Sequence, residues 1–207
     1  MSNCVVTIAR GFGSGGRTIG KLLAKRLDMD YYDSELIRLA SEESGINLEL
    51  FGRADERGKV NLFKRYNQSY GEWVLPPDSS DFVSDDNLFN YQAKIMRDLA
   101  QKQNCVLIGR CSDYILRDFP QVARVFVYAD DATCLRHVTE LYGMTPGEAK
   151  AKIESINKGR ASYYKYYTGR AWNDASNYDL CINTSKLSFE QAVDMIEDYL
   201  RIRGLRT

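Results

Sequence analysis

Residues 9–20 read ARGFGSGGRTIG, and two phosphate-binding patterns share this stretch. Gly11, Gly13 and Gly16 form G-x-G-x-x-G, the spacing that turns a chain tightly beneath a dinucleotide pyrophosphate. Gly11, followed by Gly16-Arg17-Thr18, forms G-x-x-x-x-G-[basic]-[Ser/Thr], the loop that wraps a nucleoside triphosphate, with arginine in place of lysine. The physics is common to both patterns. Glycines let successive backbone N–H groups, and the N-terminus of the next helix, face phosphate oxygens. What separates the two readings is the neighbouring side chains and the organisation of the rest of the chain.

The loop follows an apolar, β-branched run from Cys4 to Ala9, which reads as a buried parallel strand. Beyond it, Ile19, Leu22, Leu23 and Leu27 share one helical face, with Lys21, Lys25 and Arg26 opposite. Residues 30–33 read as a very short second strand. It enters a helix whose inner face is Leu36, Ile37 and Ala40 and which stops at Gly45. From about residue 45 to 86 the periodicity breaks at Gly58, Pro76-Pro77 and the run DSSDFVSDD, as expected of an insertion with one or two short helices. A helix over about 86–103, with Leu88, Ile95, Met96 and Leu99 inward, leads to the strand CVLIG at 105–109. Strands at 124–128 and 179–183 follow, separated by helices. One helix opens at Asp130-Asp131 with Leu135, Val138 and Leu141 inward. The other two open at capping boxes, Thr145-Pro146-Gly147-Glu148 and Ser188-Phe189-Glu190-Gln191. Five strands alternating with helices predict a single α/β domain with a parallel sheet covered on both faces.

Composition narrows the chemistry. A formal net charge of zero argues against a protein that coats nucleic acid or an anionic membrane. The five cysteines are dispersed and odd in number, as expected of reduced thiols rather than a disulfide framework or metal site. His137 is the one histidine and reads as a surface residue on the polar side of its helix, which argues against a zinc site or a Ser-His-Asp triad. No run is long enough to cross a bilayer and no basic leader precedes the first strand, so a cytoplasmic location is expected.

Asp33, at the end of the second strand, suits a ribose contact and keeps the dinucleotide reading open. Three features favour the triphosphate. Arg17-Thr18 places a cation and a hydroxyl where a triphosphate and its metal need them. About seventy residues separate the second strand from CVLIG, far more than one crossover helix needs. The segment KGRASYYKYYTGR concentrates Lys158, Arg160, Lys165 and Arg170, charges that a closing segment brings to a phosphoryl group in flight. Tyr163, Tyr164, Tyr166 and Tyr167 read as packing at helical spacing, and Arg53, Lys59, Lys64 and Arg65 mostly as a solvated face. Trp73 and Trp172 carry no role readable here.

IARGFGSGGRTIGKLLAKRL, then YYD, VLIGR, the basic segment and YDLCINTS resemble, in this order, the cytidylate-kinase-like family of P-loop kinases across essentially the whole chain. The resemblance implies a P-loop NTPase fold with a five-stranded parallel sheet in the order 2-3-1-4-5, an acceptor-binding insertion at about 45–86 and a lid at about 145–173. It also implies ATP, Mg²⁺ and transfer of the γ-phosphoryl group to CMP, dCMP or a related small acceptor. By the same resemblance Gly11, Gly13, Ser14, Gly15 and Gly16 would wrap the donor phosphates, with Arg17 as the loop cation and Thr18 on the metal. Arg110 would hold the acceptor, Arg160 and Arg170 would be lid arginines, and Thr184, in the turn 183–185, would lie near the adenine. Asp33 would orient the acceptor or the metal's water shell, or else cap a helix. Cys111 stands where cytidylate kinases carry an aspartate. Asp113, two positions on, is the further substrate-binding candidate, although on a helix or turn it would point elsewhere. Two rivals remain: a kinase for a non-nucleotide acceptor, and a regulator that binds nucleotide without turnover.

Overall fold

The computed structural model describes residues 3–56 and 69–206. Lys59, Lys64 and Arg65, and the side chain of Arg53, lie outside what is described. Strand β1 (Val5–Arg10) occupies the centre of a five-stranded sheet. It pairs in parallel with β3 (Cys105–Ile108) on one side and β4 (Val122–Tyr128) on the other. Strands β2 (Asp30–Tyr32) and β5 (Leu180–Asn183) complete the edges, giving the order β2-β3-β1-β4-β5, parallel throughout. This is the sheet order that the family resemblance implies.

Successive residues of a strand point to opposite faces, so a mostly apolar run such as VVTIA, buried throughout, needs cover on both. Val6 and Ile8, with Val106, Ile108, Val125 and Val127, pack under α1 (Gly16–Arg26) and α8 (Phe189–Ile202). Val5 and Leu107 face the other way, against α2 (Glu35–Ser44) and α4 (Asp85–Lys102) through Leu36, Ala40, Leu88 and Met96. Gly45 closes α2 with φ of 70°, a conformation glycine adopts without the penalty of a Cβ. Helix α3 (Leu48–Glu56) follows α2 in the segment between β2 and β3. Later in that segment buried Asn87 accepts from Leu75 N and donates to Phe82 O, both at 2.8 Å.

Both capping boxes form, at Thr145 for α7 (Pro146–Thr168) and at Ser188 for α8. The tyrosines of α7 divide. Tyr167 is buried and stacks on Phe89 at 3.8 Å, and Tyr166 meets Tyr167 edge-on, as packing predicts. Helix α6 (Asp131–Tyr142) buries Val138, but Leu141 is 75 % exposed and does not face the core. Among the described residues no helix is long and apolar enough to cross a membrane.

Candidate active site

The loop after β1 is a tight fit before any ligand is considered. Gly13 and Gly15 have φ of 86° and 85°, left-handed values natural to glycine. A Cβ on Gly13 would lie 2.8 Å from the Cys134 carbonyl oxygen of α6, and one on Gly15 would overlap the Phe189 ring of α8. The loop is therefore wedged between two helix starts. Its far end, Gly16, opens α1, whose first turn carries no acidic residue to oppose an anion.

The hydroxyls of the loop region serve its own backbone. Ser14 Oγ lies 2.9 Å from Gly11 O and 3.1 Å from Val127 O, and Thr184 Oγ1 lies 2.9 Å from Ser14 O and 3.2 Å from Tyr128 O. Both side chains are buried, so they brace the loop from beneath instead of lining a cavity. The expected wrapping of donor phosphates by the loop backbone, and the expected place of the 183–185 turn near the adenine, do not depend on these two hydroxyls. His137 is likewise not a plain surface residue. Its Nδ1 donates to the Gly13 carbonyl at 2.8 Å, which fixes the proton on Nδ1 because a carbonyl only accepts.

Two cavities meet at the end of β1. The first, about 540 Å³, is lined by the glycine loop and Thr18 together with Phe12, Leu141, Tyr142 and Phe189. The second, about 390 Å³, is lined by Asp33, Arg110, Cys111, Asp113, Tyr163, Tyr164 and Trp172, among others. Arg10, Arg17 and Arg160 line both.

Arg17 and Thr18 are exposed at the start of α1. Arg17 Nε pairs with Asp33 Oδ2 at 2.5 Å, and Arg10 Nη2 stands 3.8 Å from Asp33 Oδ1. The N-cap position of α2 falls on Ser34, so Asp33 serves the arginines and not a helix start. Arg160 reaches in from α7, and its Nη1 donates to Arg10 O at 2.8 Å. Asn157, one turn earlier, accepts from Phe12 N at 2.8 Å. Burial, reinforced by Arg10 and Arg17, pushes the Arg160 pKa down to about 9.

The turn after β3 is strained. Gly109, Arg110 and Cys111 have successive φ values of 69°, 56° and 58°, and a left-handed non-glycine residue costs about 1–2 kcal/mol. The turn delivers Arg110, whose Nη1 donates to buried Gln92 Oε1 at 3.1 Å, to the second cavity. It also brings Cys111 and Asp113 to that same cavity, so Asp113 does not point elsewhere. Arg170 does not join the group: its guanidinium lies over Tyr114 at 5.3 Å and reaches Asn177 Oδ1 at 3.4 Å, outside the lining of both cavities.

Asp113 is 3 % exposed and its Oδ2 accepts from Tyr164 Oη at 2.6 Å. Burial outweighs that hydrogen bond and pushes its pKa up to about 6. A carboxyl whose pKa rises on folding stabilises the fold when protonated, and that stability is lost as pH rises from about 4 through 6. Asp113→Asn should therefore be more stable than the wild type above pH 6, by on the order of 2–3 kcal/mol, with the difference vanishing near pH 4. Thermal unfolding of both proteins across this range checks the sign. A difference independent of pH would mean that Asp113 stays ionised.

Comparison with known proteins follows the same lines. The profile of the cytidylate kinase-like family matches residues 5–186. A cytidylate kinase of Methanosarcina acetivorans is 28% identical over 193 residues, covering 92% of this chain and 93% of its own. One from Pyrococcus horikoshii is 27% identical over 188 residues, covering 90% and 82%. Among solved structures, an uncharacterized protein from Eubacterium ventriosum superposes with a TM-score of 0.72 at 24% identity, covering 96% of this chain and 99% of its own. Shikimate kinase from Bacteroides thetaiotaomicron superposes with a TM-score of 0.52 at 14% identity, covering 96% and 98%. At these identities the two structures speak for the fold alone.

Proposed function

Because the chain belongs to the cytidylate kinase-like family, we propose that it transfers the γ-phosphoryl group of ATP to a nucleoside monophosphate, CMP or dCMP being the expected acceptor. The observation that carries this reading is the wall of Arg10, Arg17 and Arg160 common to two cavities. A loop and helix N-terminus suited to polyphosphate lie on one side of it, and a guanidinium suited to a monophosphate, Arg110, on the other. The apolar rim of Phe12, Leu141, Tyr142 and Phe189 fits a base and ribose in the donor cavity. Thr18, exposed on the donor wall, would be the side chain to hold Mg²⁺, which would supply charge neutralisation at the phosphates.

The chemistry asks little covalent work of the protein. An oxygen of the acceptor phosphate bonds to the γ-phosphorus as the β–γ bridge breaks, and the departing electron pair stays on the β-phosphate of ADP. An ionised acceptor oxygen has no proton to lose, so the residues needed are positioning cations and no general base. Arg110 grips the acceptor phosphate, Arg160 closes over the donor loop, and α7 (Pro146–Thr168) acts as the lid. Asp113, sharing the acceptor cavity with Cys111, is the carboxyl available to read a base edge.

The test is ADP formation with CMP, dCMP, UMP and AMP in the presence of ATP and Mg²⁺. Arg110→Ala should raise the acceptor KM by about 30–100-fold, the equivalent of some 2–3 kcal/mol, with little change in MgATP affinity. ADP formed with no monophosphate but with another acceptor would move the reading to a small-molecule kinase. ATP binding without any turnover would leave a nucleotide-binding regulator.

A further inference from the structure

Arg10 stands outside both glycine patterns, being the last residue of β1, yet the site is built around it. Two glycines make room for its side chain. A Cβ on Gly16 would lie 2.5 Å from Arg10 Cβ, and one on Gly109 would overlap the Arg10 guanidinium. Arg10 thus crosses the backbone of the strained turn after β3, between the donor loop and Arg110. Its side chain is only 13 % exposed and lines both cavities.

For a buried cation it is poorly satisfied. Its ion pair with Asp33, at 3.8 Å, is beyond hydrogen-bond reach, while Asp33 sits 2.5 Å from Arg17. Its Nε is buried without an acceptor. Burial, offset by Asp33 and reinforced by Arg17 and Arg110, pushes its pKa down to about 10, which leaves it charged at neutral pH. A buried charge lacking acceptors is costly, and an anionic ligand removes that cost. The other two arginines of the wall are more committed: Arg17 is 60 % exposed and tied to Asp33, and Arg160 donates through Nη1 to the Arg10 carbonyl.

We propose that Arg10 is a catalytic residue of this site, its unspent guanidinium donors contacting the phosphoryl group as it passes from the donor cavity to the acceptor cavity. The assignment deepens the kinase reading and rests on it. A planar fork held between the two cavities matches the equatorial oxygens on which charge is spread in transfer, whereas it meets the ground-state triphosphate less fully.

The experiment compares wild type, Arg10→Gln and Arg10→Lys. Steady-state turnover is measured alongside calorimetric affinity for MgATP and for MgADP with aluminium fluoride, a mimic of the phosphoryl group in transit. Arg10→Gln should bind MgATP within about threefold of wild type but lose about 100-fold or more in fluoroaluminate affinity and in kcat. Arg10→Lys, keeping the charge without the fork, should recover part of both. The assignment fails if Arg10→Gln keeps its kcat and fluoroaluminate affinity. It also fails if MgATP affinity and melting temperature drop as far as fluoroaluminate affinity in both variants, since Arg10 would then be a structural brace. A wild type that forms no ADP with any acceptor overturns the kinase reading and this assignment with it; active wild type beside an unimpaired Arg10→Gln overturns the assignment alone.

Discussion

Arg160→Ala is expected to lower turnover by about 10³-fold or more, the scale of losing an arginine that meets a transferring phosphoryl group. It should do so without destabilising the fold. Arg160 is a largely buried cation with one hydrogen bond, to Arg10 O, and a ring contact with Phe12 at 5.7 Å. Removing it relieves a desolvation cost, so the melting temperature should hold or rise while activity collapses. Asn157→Ala is the control, because it removes the acceptor for Phe12 N and loosens α7 from the loop while leaving the charge in place. It should cost about tenfold or less. Arg17→Ala, removing an exposed cation, should cost about 10²-fold. Turnover of Arg160→Ala within tenfold of wild type would remove Arg160 from the mechanism.

What the sequence made legible is what local physics decides. The glycine loop, the capping boxes at Thr145 and Ser188, the stop at Gly45 and the apolar β1 and β3 all depend on neighbours a few residues away. The place of Arg110 on a cavity wall was legible because a residue just past a central strand emerges at the carboxyl edge of an open parallel sheet. The rest depended on contacts across the chain. Ser14 and Thr184 are 170 positions apart and spend their hydroxyls on one loop, which no motif records. Leu141 has the spacing of a core residue, but its face of α6 forms a cavity wall. Asp113 was expected to point away, and only the left-handed pair Arg110-Cys111 turns it inward. Arg10 did leave a signal: a charged residue ending the buried central strand, immediately before the glycines. A charge there needs a partner, and that question points to the cavity wall.

Gly15→Ala should be a costly single-carbon addition to the loop. Two penalties add. Alanine at φ of 85° strains the backbone by about 1–2 kcal/mol. Its Cβ would also overlap the Phe189 ring, and overpacking of this kind costs about 1–3 kcal/mol. For a chain of this size a loss of about 2–5 kcal/mol corresponds to a fall in melting temperature of roughly 4–20 °C. Where the loop gives way by moving from α8, it displaces the N–H groups at the start of α1, so MgATP affinity should fall by about 100-fold. Gly147→Ala, in the first turn of α7 with open space around it, should change stability by less than about 1 kcal/mol and leave ATP affinity intact. Adding Phe189→Leu to Gly15→Ala should restore part of the melting temperature by opening the space the ring fills, while the backbone strain remains. Calorimetry and thermal unfolding of the four proteins separate the two penalties. If Gly15→Ala melts and binds MgATP as the wild type does, the loop is not wedged against α8, and the positive φ at Gly15 is free to relax. If the double variant recovers fully, the ring contact accounts for the whole effect, and the left-handed turn is not what holds the phosphate cradle in shape.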